Sequence, residues 1–361
     1  MTQKDNPKEE ASFLESQLLI SEVARISPHL AAIVKDIIFQ APSKGLRKSA
    51  QKVYSDFEKL SGKDKWICQH AGCQEKSVSS HEISESQIVK FLANKKETGI
   101  IVDVLKPFLK ENPYKLEFKE TAARSASAFP GYCDEHDREL FRDLDQAHDP
   151  GDDILLNKQF MRTTRREIYE VRRQIEAVDS LLTELREFAF GRTESDELMV
   201  QEVQKMEQHK KNAEGKLANW EQLYEKILQG IETRKPAIVF KKYEVKKRGY
   251  MFSASFDFSE QSSSDLQILF LLKKDFETQS FLYIATLKEE GLSGFDDLTL
   301  DTQDGRIEIT NMMLGKKERF VFSPEFKDGL QEASRTVFCR SADFGFDSID
   351  PFLIESELFS K

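Results

Sequence analysis

Two short stretches of this sequence concentrate residue types that bind transition metals. The stretch WICQHAGCQEKSVSSHEIS, residues 66–84, holds two cysteines and two histidines, although the whole chain has only four cysteines and six histidines. The stretch FPGYCDEHDRELF, residues 129–141, adds a third cysteine and a histidine three positions after it. Thiolate and imidazole are common protein ligands of Zn²⁺. The two stretches therefore predict a metal site that either holds the fold or takes part in chemistry.

The spacing within each stretch indicates which side chains are the ligands. Cys68 and Cys73 are separated by four residues that include Gly72, which allows the backbone to fold back so that both sulfurs face one point. Cys133 and His136 have the C-x-x-H spacing, which places a thiolate and an imidazole on one side of a turn that leads into a helix. The prediction is a tetrahedral Cys3His zinc site that helps to stabilise a segment with little periodic core.

Other interpretations of these residues stay open. The four predicted ligands could be unlinked buried thiols and a surface histidine, but the clustering and the paired spacings favour zinc. His81 is a possible substitute ligand, and His70 lies between the first two cysteines. Cys339, in RTVFCRS, is expected to be an ordinary buried thiol on a strand.

The succession C-x4-C, SHEIS and GYCDEHD resembles a divergent HNH, or treble-clef, zinc module. The same residues, as SH-x-I-S followed by F-x-G-[FY]-C-x-x-H-D-x-x-L-F, also resemble an uncharacterised group of bacterial proteins. The resemblance covers residues 65–145. It implies a structural zinc on Cys68, Cys73, Cys133 and His136.

The resemblance also implies positions for a catalytic site. His81 falls where the family has its general base, and Asp137 falls where it has a ligand to a catalytic Mg²⁺ or Mn²⁺ ion. A histidine that activates water beside such an ion on a scissile phosphate is sound chemistry. This sequence departs from the family in having Ser80 in place of the usual ligand aspartate, so that Glu82 or Asp134 would have to complete the ion's ligand set.

The charge of the chain limits how it could bind nucleic acid. A formal net charge of −10 argues against a protein that coats nucleic acid, since phosphate binding needs a local basic surface. A nuclease groove would need cations such as Lys76, Lys90 and Arg124. Two other basic clusters are interpreted as a solvated helix face and a charged strand edge. They are Arg162, Arg165, Arg166, Arg172 and Arg173, and the KKYEVKKR stretch at residues 241–248.

Composition predicts a cytoplasmic protein without a membrane segment. Hydrophobic residues make up 39% of the chain and charged residues 32%, and no apolar run approaches the roughly 20 residues that span a bilayer. The first residues, MTQKDNPKEE, lack the apolar region of a secretory signal. Cysteines clustered with histidines favour an intracellular metal site over a disulfide framework.

The predicted fold class is α+β with five segments along the chain. Residues 1–10 are expected to be a disordered tail and residues 11–62 an N-terminal helical segment. Residues 63–148 form the zinc-bound treble-clef-like module, although the part between 88 and 118 shows no clean hydrophobic period. Residues 154–233 form a long antiparallel helical hairpin, and residues 236–361 form a mostly antiparallel C-terminal β domain with some helix near its end.

The hairpin is predicted from two heptad seams separated by GRTESDE. Ile175, Val178 and Leu182 are expected to face the second seam, in which Lys210 is a polar break of the kind that fixes register. Packing the two helices of the hairpin together buries only one side of each apolar seam. Residues 160–230 are therefore the candidate surface for a homodimer or a partner protein.

The C-terminal strands are predicted from short aromatic and β-branched runs separated by polar turns. These runs are AIVFKKY, YMFSASFDF, LQILFLL, FLYIATL, RIEITNM and ERFVF.

Taken together, the sequence favours an intracellular bacterial zinc-binding protein whose Cys3His site stabilises a non-catalytic interaction or nucleic-acid-recognition module. The alternative is an HNH-like metal-dependent nuclease, in a defence or mobile-element system, with His81 as general base. The preserved SH-x-I and C-x-x-H-D favour the nuclease, whereas the acidic net charge and the missing aspartate favour the interaction protein.

Overall fold

A computed structural model describes residues 66–96, 99–107, 116–146, 152–190, 197–259, 266–289, 291, 295–339 and 350–359. The predicted tail at 1–10 and helical segment at 11–62 lie outside these residues. The described part combines helices with antiparallel sheets, so the predicted α+β class is confirmed. None of its helices is both long enough and apolar enough to cross a membrane.

Helices and strands follow one another in a mixed order along the described chain. The helices are α1 (Glu85–Phe91), α2 (Asp134–Gln146), α3 (Asp153–Phe190), α4 (Glu197–Glu232), α5 (Gln303–Gly315), α6 (Pro324–Gly329), α7 (Glu332–Cys339) and α8 (Asp350–Phe359). The strands are β1 (Ser79–His81), β2 (Asn94–Lys96), β3 (Gly99–Pro107), β4 (Leu116–Ala122), β5 (Ala128–Pro130), β6 (Ile238–Glu244), β7 (Tyr250–Asp257), β8 (Ile268–Asp275), β9 (Ser280–Leu287) and β10 (Phe320–Phe322).

The chain divides into two compact units, of which the larger comprises residues 63–106, 117–169 and 218–361. Its main sheet has eight strands in the order β2-β3-β10-β7-β8-β9-β6, and β4 also pairs with β3. A separate two-stranded sheet pairs β1 with β5 in antiparallel register, with Ser80 opposite Phe129. The main sheet therefore takes strands from two segments, 63–148 and 236–361, that the sequence analysis assigned to different domains.

Burial of both faces explains why β3, within the predicted segment 88–118, shows no hydrophobic period. Consecutive residues of β3, from Ile101 to Leu105, are all buried, including Asp103. A strand covered on both faces carries a continuous buried run instead of an alternation. The only pattern available in this segment was therefore a mixture of apolar and charged residues.

Helices cover both faces of the main sheet. On one face, Phe160 of α3 packs against Phe270 of β8, with ring centroids 4.6 Å apart. On the other face, Phe338 of α7 packs edge-on against Phe320 of β10 at 5.5 Å, and the Tyr250 hydroxyl donates to the Leu358 carbonyl of α8 at 3.0 Å. Strand β8 is buried along its whole length between these layers.

Two of the predicted C-terminal features are wrong. The run RIEITNM was predicted as a strand but lies in helix α5, whose start is capped by the Thr302 side chain accepting from the Gly305 N–H at 3.1 Å. Cys339 was expected on a strand but ends helix α7 and is only partly buried. In both stretches β-branched residues suggested strand, but the cap and the packing of the surrounding helices favour helix.

The smaller unit comprises residues 1–62, 107–116 and 170–217, of which the structure describes mainly parts of α3 and α4. Here Gln174 contacts His209 at 2.6 Å, and Lys210 forms an ion pair with Asp179 at 2.6 Å. Val178, Leu182, Met206 and Ala213 are buried, as the two seams predicted, and Lys210 has an acidic partner on the other helix. Self-association through this arm stays a prediction.

Lys273 on β8 is a fully buried charge of the main sheet. Its ammonium donates to the Tyr250 carbonyl at 2.7 Å and to the Asp275 carboxylate, and it lies 3.9 Å from the centroid of the Tyr250 ring. Burial lowers the pKa of Lys273 to about 8, although the Asp275 charge opposes this shift. Lys273 can therefore lose its proton in the folded protein at mildly alkaline pH.

This shift predicts a pH-dependent difference between the wild type and Lys273→Met. Between pH 8 and 10.5 the unfolded chain binds a proton that folded Lys273 has released, so the free energy of unfolding of the wild type rises with pH in this window. The rise relative to Lys273→Met should reach about 3 kcal/mol. Urea unfolding of both proteins across this range measures it, and parallel stability curves would contradict it. Taking the difference between the two proteins removes the contribution of the titratable groups that they share to the pH dependence of stability.

Candidate metal centre

The first two predicted ligands lie in a tight turn at the start of the described chain. Ile67 forms a β-bridge with Lys76, and the Cys68 N–H donates to the Glu75 carbonyl at 2.7 Å. Between Cys68 and Cys73 the chain reverses direction at Gly72, whose φ of +77° lies in the left-handed region that favours glycine. This reversal places both cysteines on one short loop.

The other two ligands lie at the start of helix α2. The Cys133 carbonyl accepts the Asp137 N–H at 2.9 Å, which makes Cys133 the residue from which the helix begins. His136 follows three residues later, so that its imidazole and the Cys133 thiol share one side of the first turn. Backbone hydrogen bonds hold the two ligand segments together, from Gln69 N–H to the Gly131 carbonyl at 3.2 Å and from Val78 N–H to the Tyr132 carbonyl at 2.7 Å.

The prediction that the four side chains converge is confirmed. The three sulfurs and a ring nitrogen of His136 all lie within 4.8 Å of one another. The Nδ1 atom of His136 is 3.5 Å from Cys68 Sγ and 3.1 Å from Cys133 Sγ. Tetrahedral zinc with Zn–S bonds near 2.3 Å would separate such atoms by about 3.5–3.8 Å. The donor set and the approximate spacing of its atoms are therefore compatible with a zinc ion.

The surroundings of Cys68 disfavour its free thiolate. Burial is the largest influence on Cys68 and raises the pKa of its thiol to about 11. A bound divalent cation would reverse this preference, because coordinated thiols are deprotonated. The His70 ring stacks on His136 with centroids 3.9 Å apart and planes 5° from parallel, which fixes the orientation of the ligand ring without placing His70 in the ligand set.

His81 lies on β1 and is not one of the four clustered ligands. Its Nε2 atom is 2.9 Å from the Arg124 carbonyl and 3.9 Å from the Glu85 carboxylate. The carbonyl can only accept, so Nε2 carries the proton and Nδ1 is left as the basic nitrogen. The imidazole side chain is 16% exposed. His81 is thus held by a backbone carbonyl beside the cluster.

Asp137 lies in the first turn of α2 in a mostly buried position. Burial raises the pKa of Asp137, and the Arg162 guanidinium, a Ser80 hydrogen bond and the nearby His81 partly oppose this rise. The closest cationic atom is an Arg162 nitrogen at 3.7 Å. The same arginine binds Asp145 through two hydrogen bonds of 2.6 and 3.0 Å. Asp137 therefore faces a cation that the protein itself supplies.

The three cations predicted for a nucleic-acid groove have different surroundings. Lys76 is exposed on the cysteine turn, and Arg124 is exposed next to His81. Lys90 forms an ion pair with Glu277 at 2.6 Å. Whether they bind nucleic acid stays a prediction.

The arginine cluster on α3 is not the solvated face that was predicted. Arg162, Arg165 and Arg173 are each 5% exposed or less. Arg162 pairs with Asp145 of α2, whereas Arg173 pairs with Glu170 on its own helix at 3.5 Å. Charge spacing along one helix does not show which of its arginines the rest of the fold buries, which is why the prediction failed.

A buried ion-pair network that no sequence pattern predicted is centred on Glu82 and Glu167. Glu82, which follows His81, is 1% exposed, and its carboxylate accepts from Arg166 at 2.8 Å and from Arg319 at 3.0 Å. Arg319 also donates to Glu167 at 2.8 Å, and Lys316 pairs with Glu167 at 3.1 Å. The network links the end of β1 to α3 and to the turn before β10. The only sequence signal was the proximity of Glu82 to His81.

Glu82→Gln should destabilise the protein without removing the metal. Breaking a buried charge pair leaves Arg166 and Arg319 without their shared carboxylate and typically costs about 3–5 kcal/mol. The matched control is Glu85→Gln, since the Glu85 side chain is 45% exposed and exposed pairs contribute less than about 1 kcal/mol. Urea unfolding measures both variants, and wild-type stability of Glu82→Gln would refute the role given to this network.

Comparison with protein-family models, with curated proteins and with solved structures finds no match to this chain. The resemblance of residues 65–145 to HNH modules therefore stays a prediction. What is established about the site is its geometry: three thiols and one imidazole, from a turn and from a helix start, meet at one point.

Proposed function

We propose that Cys68, Cys73, Cys133 and His136 bind a structural zinc ion, and that the chain acts as a zinc-stabilised interaction protein without metal-dependent catalysis. The observation that carries this proposal is the convergence of the four ligand atoms within 4.8 Å. When bound, zinc would join the cysteine turn to the start of α2.

The composition of the ligand set supports a structural role. Structural zinc sites are closed by four protein ligands, whereas catalytic zinc sites keep one position for water or substrate. A Cys3His set fills all four positions. The ion would therefore stabilise the segment around it and offer no position to a substrate.

The environment of Asp137 also supports a non-catalytic protein. A carboxylate that binds Mg²⁺ or Mn²⁺ must be ionised and accompanied by further oxygen ligands. Burial raises the pKa of Asp137, and an Arg162 nitrogen lies 3.7 Å from its carboxylate. Of the proposed helpers, Glu82 is engaged by Arg166 and Arg319, and Asp134 is paired with Arg138 at 2.9 Å.

A specific arrangement favours the alternative, an HNH-like nuclease. The β1–β5 pair is followed directly by helix α2, with His81 on β1 and Asp137 in the first turn of the helix. The two side chains are close enough for the His81 charge to lower the pKa of Asp137. This alternative would use His81 as the base and Asp137 as the ligand of a second metal ion.

Cys68→Ser should lose the bound metal, because a neutral hydroxyl is a poor substitute for a thiolate. Zinc content should fall from about one ion per chain to near zero, with a loss of several kcal/mol in stability. Cys339→Ser is the matched control, since Cys339 lies outside the cluster and should retain the metal. Elemental analysis after gel filtration decides the matter, and wild-type zinc in Cys68→Ser would refute the assignment.

His81→Ala separates the two functions. The proposal predicts no Mg²⁺- or Mn²⁺-dependent cleavage of DNA or RNA by the wild type, and only about 1 kcal/mol of lost stability in the variant from the missing hydrogen bond to Arg124. Zinc content should stay unchanged. Cleavage by the wild type that is absent in His81→Ala and Asp137→Asn, at equal zinc content, would overturn the proposal and establish the nuclease.

A further inference from the structure

A pocket of about 430 Å³ lies away from the metal cluster, beside the start of β7 and the short helix α6. Its volume is within the range of small-molecule sites. Phe91 and Phe326 supply apolar wall, and Lys247, Arg248 and Glu325 supply charged groups. The pocket therefore combines an apolar surface with charges of both signs.

Asp275 and Gly249, which line this pocket, are held by several hydrogen bonds and close contacts. Asp275 is 1% exposed, and its carboxylate accepts from the Gly249 N–H at 2.7 Å, from the Ser280 hydroxyl at 2.6 Å and from Lys273. Gly249 has φ +92°, and a Cβ atom there would lie 2.9 Å from the Phe326 Cβ and 3.0 Å from the Ser323 hydroxyl. No side chain fits at this position, so the wall is fixed by backbone.

Arg248 is held in place at the pocket without an acidic partner. Its guanidinium donates to the Phe276 carbonyl and to the Glu277 carbonyl, the latter at 2.9 Å. Among the residues that the structure describes, no carboxylate lies within 4.0 Å of this guanidinium. Neutral carbonyls orient the guanidinium but do not cancel its charge. Arg248 is therefore a positioned cation available to an anionic group.

Glu325 supplies the opposite charge. Its carboxylate accepts from the Asn94 amide, and this hydrogen bond is the main reason that the pKa of Glu325 is lowered. Within the described part of the chain no cation lies at ion-pair distance from it, Arg248 included. Lys247 differs from both, since Glu357 lies 3.8 Å from its ammonium. One uncompensated cation and one uncompensated anion thus line the same pocket.

We propose that this pocket binds a free α-amino acid with an apolar side chain. Arg248 would bind the carboxylate, Glu325 the ammonium group, and the rings of Phe91 and Phe326 the side chain. A zwitterion satisfies both charges, whereas a simple anion would be repelled by Glu325 and a simple cation by Arg248. The proposal concerns a site separate from the metal centre and does not depend on zinc.

The test uses the full chain and isothermal titration calorimetry with L-phenylalanine, L-leucine, phenethylamine and 3-phenylpropionate. The last two compounds each lack one charged group of phenylalanine. Arg248→Gln should weaken L-phenylalanine about tenfold or more and leave phenethylamine unchanged. Glu325→Gln should weaken L-phenylalanine similarly and leave 3-phenylpropionate unchanged. Arg142→Gln, an exposed arginine on α2, is the matched control and should bind as the wild type does.

The outcomes that overturn the proposal are equally definite. Failure of both amino acids to bind at about 10 mM would overturn it, as would unchanged L-phenylalanine affinity in both variants. Equal affinity for L-phenylalanine and the two analogues would show that the pocket does not recognise the carboxylate and ammonium groups of the ligand. If Arg248→Gln shows no thermal unfolding transition and is therefore not folded, the binding data of Glu325→Gln test the proposal. We expect Glu325→Gln to fold, because the Glu325 side chain is exposed and a glutamine carbonyl can still accept from Asn94.

Discussion

The convergence of the Cys3His ligands is the constraint on which this part of the chain depends. The ligands come from two short segments, and β2, β3 and β4 lie in the sequence between them. These strands join the main sheet through the pairing of β3 with β10. Closing such a long loop has an entropic cost that a metal ion can offset. A bound zinc would thus stabilise both the small β1–β5 sheet and the path that the chain takes into the main sheet.

Ion pairs between buried side chains join the end of β1, helix α3 and the turn before β10. Glu82 and Glu167 share Arg319, which lies in the turn before β10. Such pairs are costly to desolvate, so their contribution depends on every member being present. Asp137 has a different charged neighbour, since an Arg162 nitrogen lies 3.7 Å from its carboxylate. Burial raises the pKa of Asp137, and the Arg162 guanidinium partly opposes this rise.

Spacing within the sequence predicted what depends on local geometry. The C-x4-C and C-x-x-H pairs predicted the four clustered ligands, and the heptad seams predicted buried Val178 and Met206. Features that depend on distant partners could not be predicted. Arg162 of α3 is buried against Asp145 of another helix, and β3 shows no period because both of its faces are covered. RIEITNM is helical although its β-branched residues favour strand.

We propose that a zinc ion is bound by three thiolates and one imidazole in the native protein. Zinc K-edge X-ray absorption of the protein purified without added metal measures these ligands. We expect one zinc per chain, with three sulfur atoms at about 2.3 Å and one nitrogen at about 2.0 Å. A protein that carries no zinc, or a zinc ion whose ligands include water or are mostly oxygen, would contradict it.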